Sequence, residues 1–226
     1  MKSELTIIKI GGKIISDSEL LEKYLKKINQ TNGNVIIVHG GGNIANDYFK
    51  KNNIPVKMIN GRRITDKIAI EKLVMLYSGK INKNIISKLN KSEKKYIGLS
   101  GVDSKVILSK KREIKEVDYG FVGDITSING IFLKLLIDNN IYPVICPITA
   151  DKNGLLLNTN ADTIATKVAI EMSKYYNLRL LYCFDKSGVL QNNKVSVFKS
   201  SKALASPKTR KFARELGVDI NNITGS

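Results

Sequence analysis

The sequence predicts an α/β protein in which a largely parallel sheet is covered by helices on both faces. Short β-branched runs alternate with amphipathic stretches along most of the chain, and three glycine-rich turns each follow one of those runs. The crossovers this pattern implies join parallel strands through helices. Leu5–Ile10 reads as a buried strand, and Asp17–Gln30 as a helix with Leu20, Leu21, Tyr24, Leu25 and Ile28 on one face. Asn34–Val38 is the next strand, followed by Gly40-Gly41-Gly42 and a helix to about Lys51. Pro55–Ile64 reads as a hairpin or extended pair. A long helix is expected from Asp66 to Leu89, with Ile70, Leu73, Val74, Tyr77 and Ile81 as its apolar face.

Tyr96–Leu99 is then a strand, and Lys105–Thr126 holds short strands and turns. Gly130–Asn140 is a helix leading into a buried strand, Tyr142–Ile148. Asp151–Asn158 is a hairpin around the turn dipeptide Asn153-Gly154. Asn160 is a good cap for a helix over Ala161–Tyr175, and Leu178–Phe184 is the last strand. Beyond Leu190 the pattern changes. Gln191–Ser201 is polar and turn-like, and Ser206-Pro207 opens a short helix that stops at Gly217.

Composition narrows the function. The chain has 226 residues, 42% hydrophobic and 25% charged, which excludes wholesale disorder. No apolar run reaches the roughly 18 residues that a membrane helix needs. Met1–Leu5 runs straight into the first strand without the shape of a signal peptide, and Cys146 and Cys183 lie far apart, so a reduced, cytoplasmic setting is expected. The net charge is +17, but only 6 of the 37 basic residues are arginine, and lysines such as Lys23, Lys26, Lys50, Lys80 and Lys88 are scattered. Clustered basic residues with interleaved aromatics are missing, which argues against nucleic-acid binding. A positive field still favours anionic small molecules.

The glycine-rich turns are Lys9-Ile10-Gly11-Gly12, His39-Gly40-Gly41-Gly42 and Gly98-Leu99-Ser100-Gly101. Turns of this kind expose N–H groups to anions beside a helix start. None fits the P-loop or the dinucleotide fingerprint, and each alone is better explained as a tight strand-to-helix turn without a ligand. Together with Lys9, Arg63 in Asn60–Thr65 and Asn158–Asp162, they supply the parts of phosphoryl transfer: positioned cations, amides and one acid.

The ordered set Ile8–Gly12, Val38–Gly42, Asn60–Asp66, Gly98–Asp103, Gly120–Asp124, Leu157–Thr163 and Asp185–Leu190 resembles the acetylglutamate kinases of the amino-acid-kinase superfamily. The resemblance implies a three-layer αβα sandwich of the carbamate kinase-like type. It implies a transferase that uses ATP and Mg²⁺ to phosphorylate the γ-carboxylate of N-acetyl-L-glutamate, giving N-acetyl-L-glutamyl 5-phosphate for arginine biosynthesis. By the same resemblance Lys9 neutralises the transferring phosphoryl group and Asp162 orients it. Gly41, Gly42, Arg63 and Asn158 hold the acyl-glutamate; Gly11, Gly12, Asp185, Lys186, Ser187, Gly188, Val189 and Leu190 contact nucleotide. The nucleophile is the substrate's own ionised carboxylate, so no general base is needed. His39, the single histidine, reads as a packed or hydrogen-bonded group rather than a base.

The kinase resemblance covers about residues 5–190, divided near 150 into an acyl-glutamate lobe and a partial ATP lobe, with 191–204 as linker. The family's GGM-x-PK-like element, which carries a second phosphoryl-stabilising lysine, has no match, so the C-terminal part of the nucleotide lobe is expected to be missing. Residues 205–226 instead resemble part of the peripheral subunit-binding domain of 2-oxo acid dehydrogenase acyltransferases. With the first strand starting near Leu5 no feedback inhibition by arginine is expected, and the family implies a homodimer. N-Succinyl-L-glutamate as substrate, an acyl-glutamate-binding remnant without activity, and an adaptor acting through the basic tail remain open alternatives at this stage.

Overall fold

The computed structural model describes residues 2–59 and 61–184. The expectations for Asp185–Leu190, for the linker and for the tail lie outside the described residues.

β1 (Glu4–Ile10) and β2 (Asn34–His39) are aliphatic runs that pair in parallel, with Ile7 opposite Ile36 and Lys9 opposite Val38. Between them, α1 (Gly12–Ser16) is a single short turn of helix that the sequence reading did not anticipate. It leads into α2 (Ser18–Gln30), capped where the Asp17 side chain accepts from the Leu20 amide. α3 (Gly42–Lys51) follows β2. The hairpin is short, β3 (Met58–Ile59) against β4 (Arg62–Arg63). α4 (Lys67–Val74) and α5 (Asn82–Leu89) are joined by a π-helical turn, Met75–Ile81. The stretch expected as one regular α-helix is therefore widened in its middle, and such turns often sit at functional sites.

β5 (Lys95–Leu99), β6 (Ile107–Lys111), β7 (Gly123–Ile128), α6 (Gly130–Asp138), β8 (Ile141–Ile145), β9 (Ile148–Ala150), β10 (Leu156–Asn158), α7 (Ala161–Met172) and β11 (Asn177–Cys183) complete the described chain. Five strands form a parallel sheet in the order β11-β1-β2-β8-β5. Val35, Ile36, Ile37 and Val38 are all at most 1% exposed, so successive side chains of β2 are buried on both faces. α7 packs on β1 and β11, and α5 packs on β5 and β8.

The parallel sheet is only part of the architecture. Four strands form a second sheet, β10-β9-β6-β7, largely antiparallel. The expected strand over 142–148 is in fact split between the two sheets at Cys146-Pro147. Cys146 donates to the Leu99 carbonyl at 2.9 Å, Pro147 has no N–H to give, and Ile148 then accepts from the Gly101 amide at 2.7 Å. α7 stops at Met172 rather than Tyr175.

Candidate active site

Parallel strands present their carboxyl ends on one edge, and that is where ligands bind in open α/β sheets. β1 delivers Lys9 and Gly11 there, and β2 delivers the Gly40–Gly42 turn. The starts of α1 and α3 face each other: a Cβ placed on Gly12 would stand 3.7 Å from the amide nitrogens of both Gly42 and Asn43. The first-turn amides of α3 have no partner within their own helix, so the cleft is lined with hydrogen-bond donors. Gly11 contributes differently. Its amide is committed to the Cys183 carbonyl at 2.9 Å, which ties the turn to β11.

Lys9 Nζ lies 2.8 Å from Asp162 Oδ1, with the two side chains 16% and 53% exposed. Asp162 stands in the first turn of α7, whose cap is the Asn160 side chain accepting from the Thr163 amide at 2.9 Å. Tyr182, the β11 neighbour of Lys9, shares a 2.6 Å hydrogen bond with Thr166 on α7. Strand and helix are thereby held in the register that brings the lysine and the acid together.

Arg63 is a buried cation, 8% exposed. Its Nη2 donates to Asn46 Oδ1 on α3, its guanidinium lies 4.8 Å from the Phe49 ring centroid, and its Nη1 has no acceptor in the protein. Burial pulls the guanidinium below the usual arginine range, with the nearby Tyr77 opposing that shift. A buried donor left unpaired is costly, and a bound carboxylate would satisfy it.

Asn158 closes the same region. Its Nδ2 donates to Thr65 Oγ1 at 3.1 Å, and its amide donates to the Phe121 carbonyl at 2.9 Å. Phe121 in turn donates to the Thr65 carbonyl at 2.7 Å. Gly120 makes this junction possible, since it has φ +70° and a Cβ there would lie 2.2 Å from Thr65 O.

His39 is fully buried, with Nδ1 2.7 Å from the Gly40 carbonyl and Nε2 3.1 Å from Asn82 Nδ2. Burial pushes its pKa down to about 4, so the ring is neutral at pH 7 and serves as packing and hydrogen-bonding material. Sequence reasoning missed Asn46 and Asn82, which reach Arg63 and His39 from α3 and α5, and took Tyr77 only as part of an apolar face. One signal was present: Tyr77, Ile81, Ile85 and Leu89, all buried, step by four residues, wider than the α-helical period.

Residues 4–207 match the family model described as the amino acid kinase family. The chain belongs to the amino acid kinase family. An acetylglutamate kinase from Phocaeicola vulgatus is 45% identical over 192 residues, covering 85% of this chain and 75% of that one. One from Methanoregula boonei is 37% identical over 205 residues, covering 85% and 69%. Among solved structures, smu.665 from Streptococcus mutans superposes with a TM-score of 0.74 at 26% identity, covering 96% of this chain and 85% of that one. The family match runs past Leu190, where the motif resemblance stopped, and residues 203–226 separately match the e3 binding domain model.

Proposed function

We propose that this amino acid kinase family member transfers the γ-phosphoryl group of ATP to the γ-carboxylate of N-acetyl-L-glutamate, a step of arginine biosynthesis. Relatives of 43–45% identity that are named acetylglutamate kinases support the reading. The single structural observation that carries it is Arg63, a buried guanidinium held from one side with Nη1 left over for a carboxylate. Asn158 and the amides at Gly41 and Gly42 complete the acyl-glutamate pocket.

A γ-carboxylate oxygen forms a bond to the γ-phosphorus while the bond from that phosphorus to the β,γ-bridging oxygen breaks. ADP departs with the electron pair, and no proton need move. Lys9 neutralises charge gathering on the phosphoryl oxygens, Asp162 aims Lys9, and Gly11 and Gly12 let the phosphates approach the backbone. Asp185–Leu190 would contact the nucleotide. Mg²⁺ enters this reading as part of the Mg·ATP substrate. No helix of the described residues is long and apolar enough to cross a membrane. A homodimer, as the family resemblance implies, is part of the same reading.

The test is hydroxylamine trapping of the acyl phosphate with Mg·ATP and N-acetyl-L-glutamate, with N-succinyl-L-glutamate run in parallel. Hydroxamate from the wild type that is lost in Lys9→Ala is the expected result. No hydroxamate from a folded protein that binds N-acetyl-L-glutamate would overturn kinase activity in favour of a binding role, and turnover of the succinyl compound alone would reassign the substrate.

A further inference from the structure

The Gly40–Gly42 turn is gripped from behind by one short stretch of chain, the π-helical turn and the residue after it. A Cβ on Gly41 would lie 2.6 Å from Ile81 Cδ1 and 2.8 Å from Tyr77 Cε1, so both side chains press on the bare α-carbon. Asn82, 1% exposed, donates from Nδ2 to the Val144 carbonyl at 2.9 Å, and the same nitrogen lies 3.1 Å from His39 Nε2. Its Oδ1 occupies the space where a Gly98 Cβ would sit, 2.0 Å away. Asn82 is thus locked between β2, β8 and β5.

That lock decides the state of the imidazole. The nitrogen of Asn82 must face Val144, because a carbonyl accepts only a donor, so His39 Nε2 is the acceptor and the proton resides on Nδ1. Nδ1–H then donates to the Gly40 carbonyl at 2.7 Å. In a trans peptide the C=O and the following N–H point in opposite directions. Drawing the Gly40 carbonyl toward His39 therefore turns the Gly41 N–H away from it. We propose that His39, set by Asn82, is a positioning residue that orients the Gly40–Gly41 peptide so that the Gly41 amide faces the acyl-glutamate. The proposal rests on the reading of Gly41 as a substrate donor.

Two measurements test it. His39 is the chain's single histidine, so the nitrogen-15 spectrum of the imidazole is unambiguous. The neutral Nδ1–H tautomer is expected at pH 7; the Nε2–H tautomer would overturn the proposal and needs no variant to be seen. The second is calorimetric titration of wild type, His39→Asn and His39→Gln with N-acetyl-L-glutamate and, separately, with Mg·ATP. Asn places its amide near the Nδ1 position and Gln near Nε2. His39→Gln is expected to weaken N-acetyl-L-glutamate about tenfold and Mg·ATP less than about twofold, with His39→Asn recovering most of the loss. Equal behaviour of the two variants, or equal weakening of both ligands, would reduce His39 to packing and overturn the proposal. A wild type with the Nδ1–H tautomer that binds no N-acetyl-L-glutamate would instead overturn the functional reading, and the positioning role with it.

Discussion

The two cations of the candidate site are held in opposite ways. Arg63 is 8% exposed, with Asn46 and Phe49 fixing it from one side and one nitrogen left unsatisfied. Lys9 sits at the end of a strand, paired at 2.8 Å with an acid that is 53% exposed. A planar, buried, preoriented group suits a ligand that must be recognised and held. A lysine whose partner can exchange with water suits a charge that develops and then leaves. On the proposed reading, binding and transfer fall to different elements, the hairpin with α3 for one and β1 with α7 for the other.

The sharpest way to break that division is Lys9→Ala. Hydroxamate formation should fall about 10²–10³-fold, while calorimetric affinity for N-acetyl-L-glutamate stays near wild type. A comparable loss of affinity would erase the distinction. Arg63→Lys should do the reverse, raising KM for the acyl-glutamate about tenfold or more with a smaller change in kcat, because a point charge cannot replace a fork held on Asn46. Steady-state kinetics with each substrate varied in turn checks this.

A pH series compares the rear of the pocket with its mouth. His39 has a folded pKa of about 4 against an ordinary value of 6.5, so the unfolded chain binds its proton first. The associated stability is complete above pH 6.5 and is lost as pH falls from there toward 4, with a slope of up to about 1.4 kcal/mol per pH unit. Melting curves should show that slope in the wild type and not in His39→Asn. The smallest stability effect is expected of Asp162→Asn. Its ion pair is half open to solvent, so unfolding free energy should change by less than about 1 kcal/mol while the hydroxamate rate drops measurably. A large fall in stability would mean that Lys9–Asp162 is part of the framework.

The legible part of the molecule was whatever local pattern decides. The parallel strands appeared as aliphatic runs because both faces are buried, and Asn160 was read as the cap it is; the caps at Asp17, Asp66 and Asn129 were not singled out. The roles proposed for Lys9, Arg63, Asn158 and Asp162 rest on an ordered set of motifs, since a lysine after a strand or an arginine in a hairpin has no local mark of function. The second sheet was legible only as separate pieces, short strands within Lys105–Thr126 and a hairpin near Asp151–Asn158. Their assembly and order depend on an interruption between strands at Pro147 whose meaning comes from Leu99 and Gly101.

By itself the sequence determined the α/β alternation, the capped helices and the residue types available at the sheet's carboxyl edge, because these follow from period, backbone freedom and side-chain chemistry. Only the tertiary structure decided which groups meet. It left Arg63 Nη1 without a partner, set Lys9 against Asp162 across 153 positions of chain, and placed Asn82 where it selects the tautomer of His39. Burial and hydrogen-bond complementarity are properties of neighbours in space, and it is in space alone that the π-helical turn sets Tyr77 and Ile81 against Gly41.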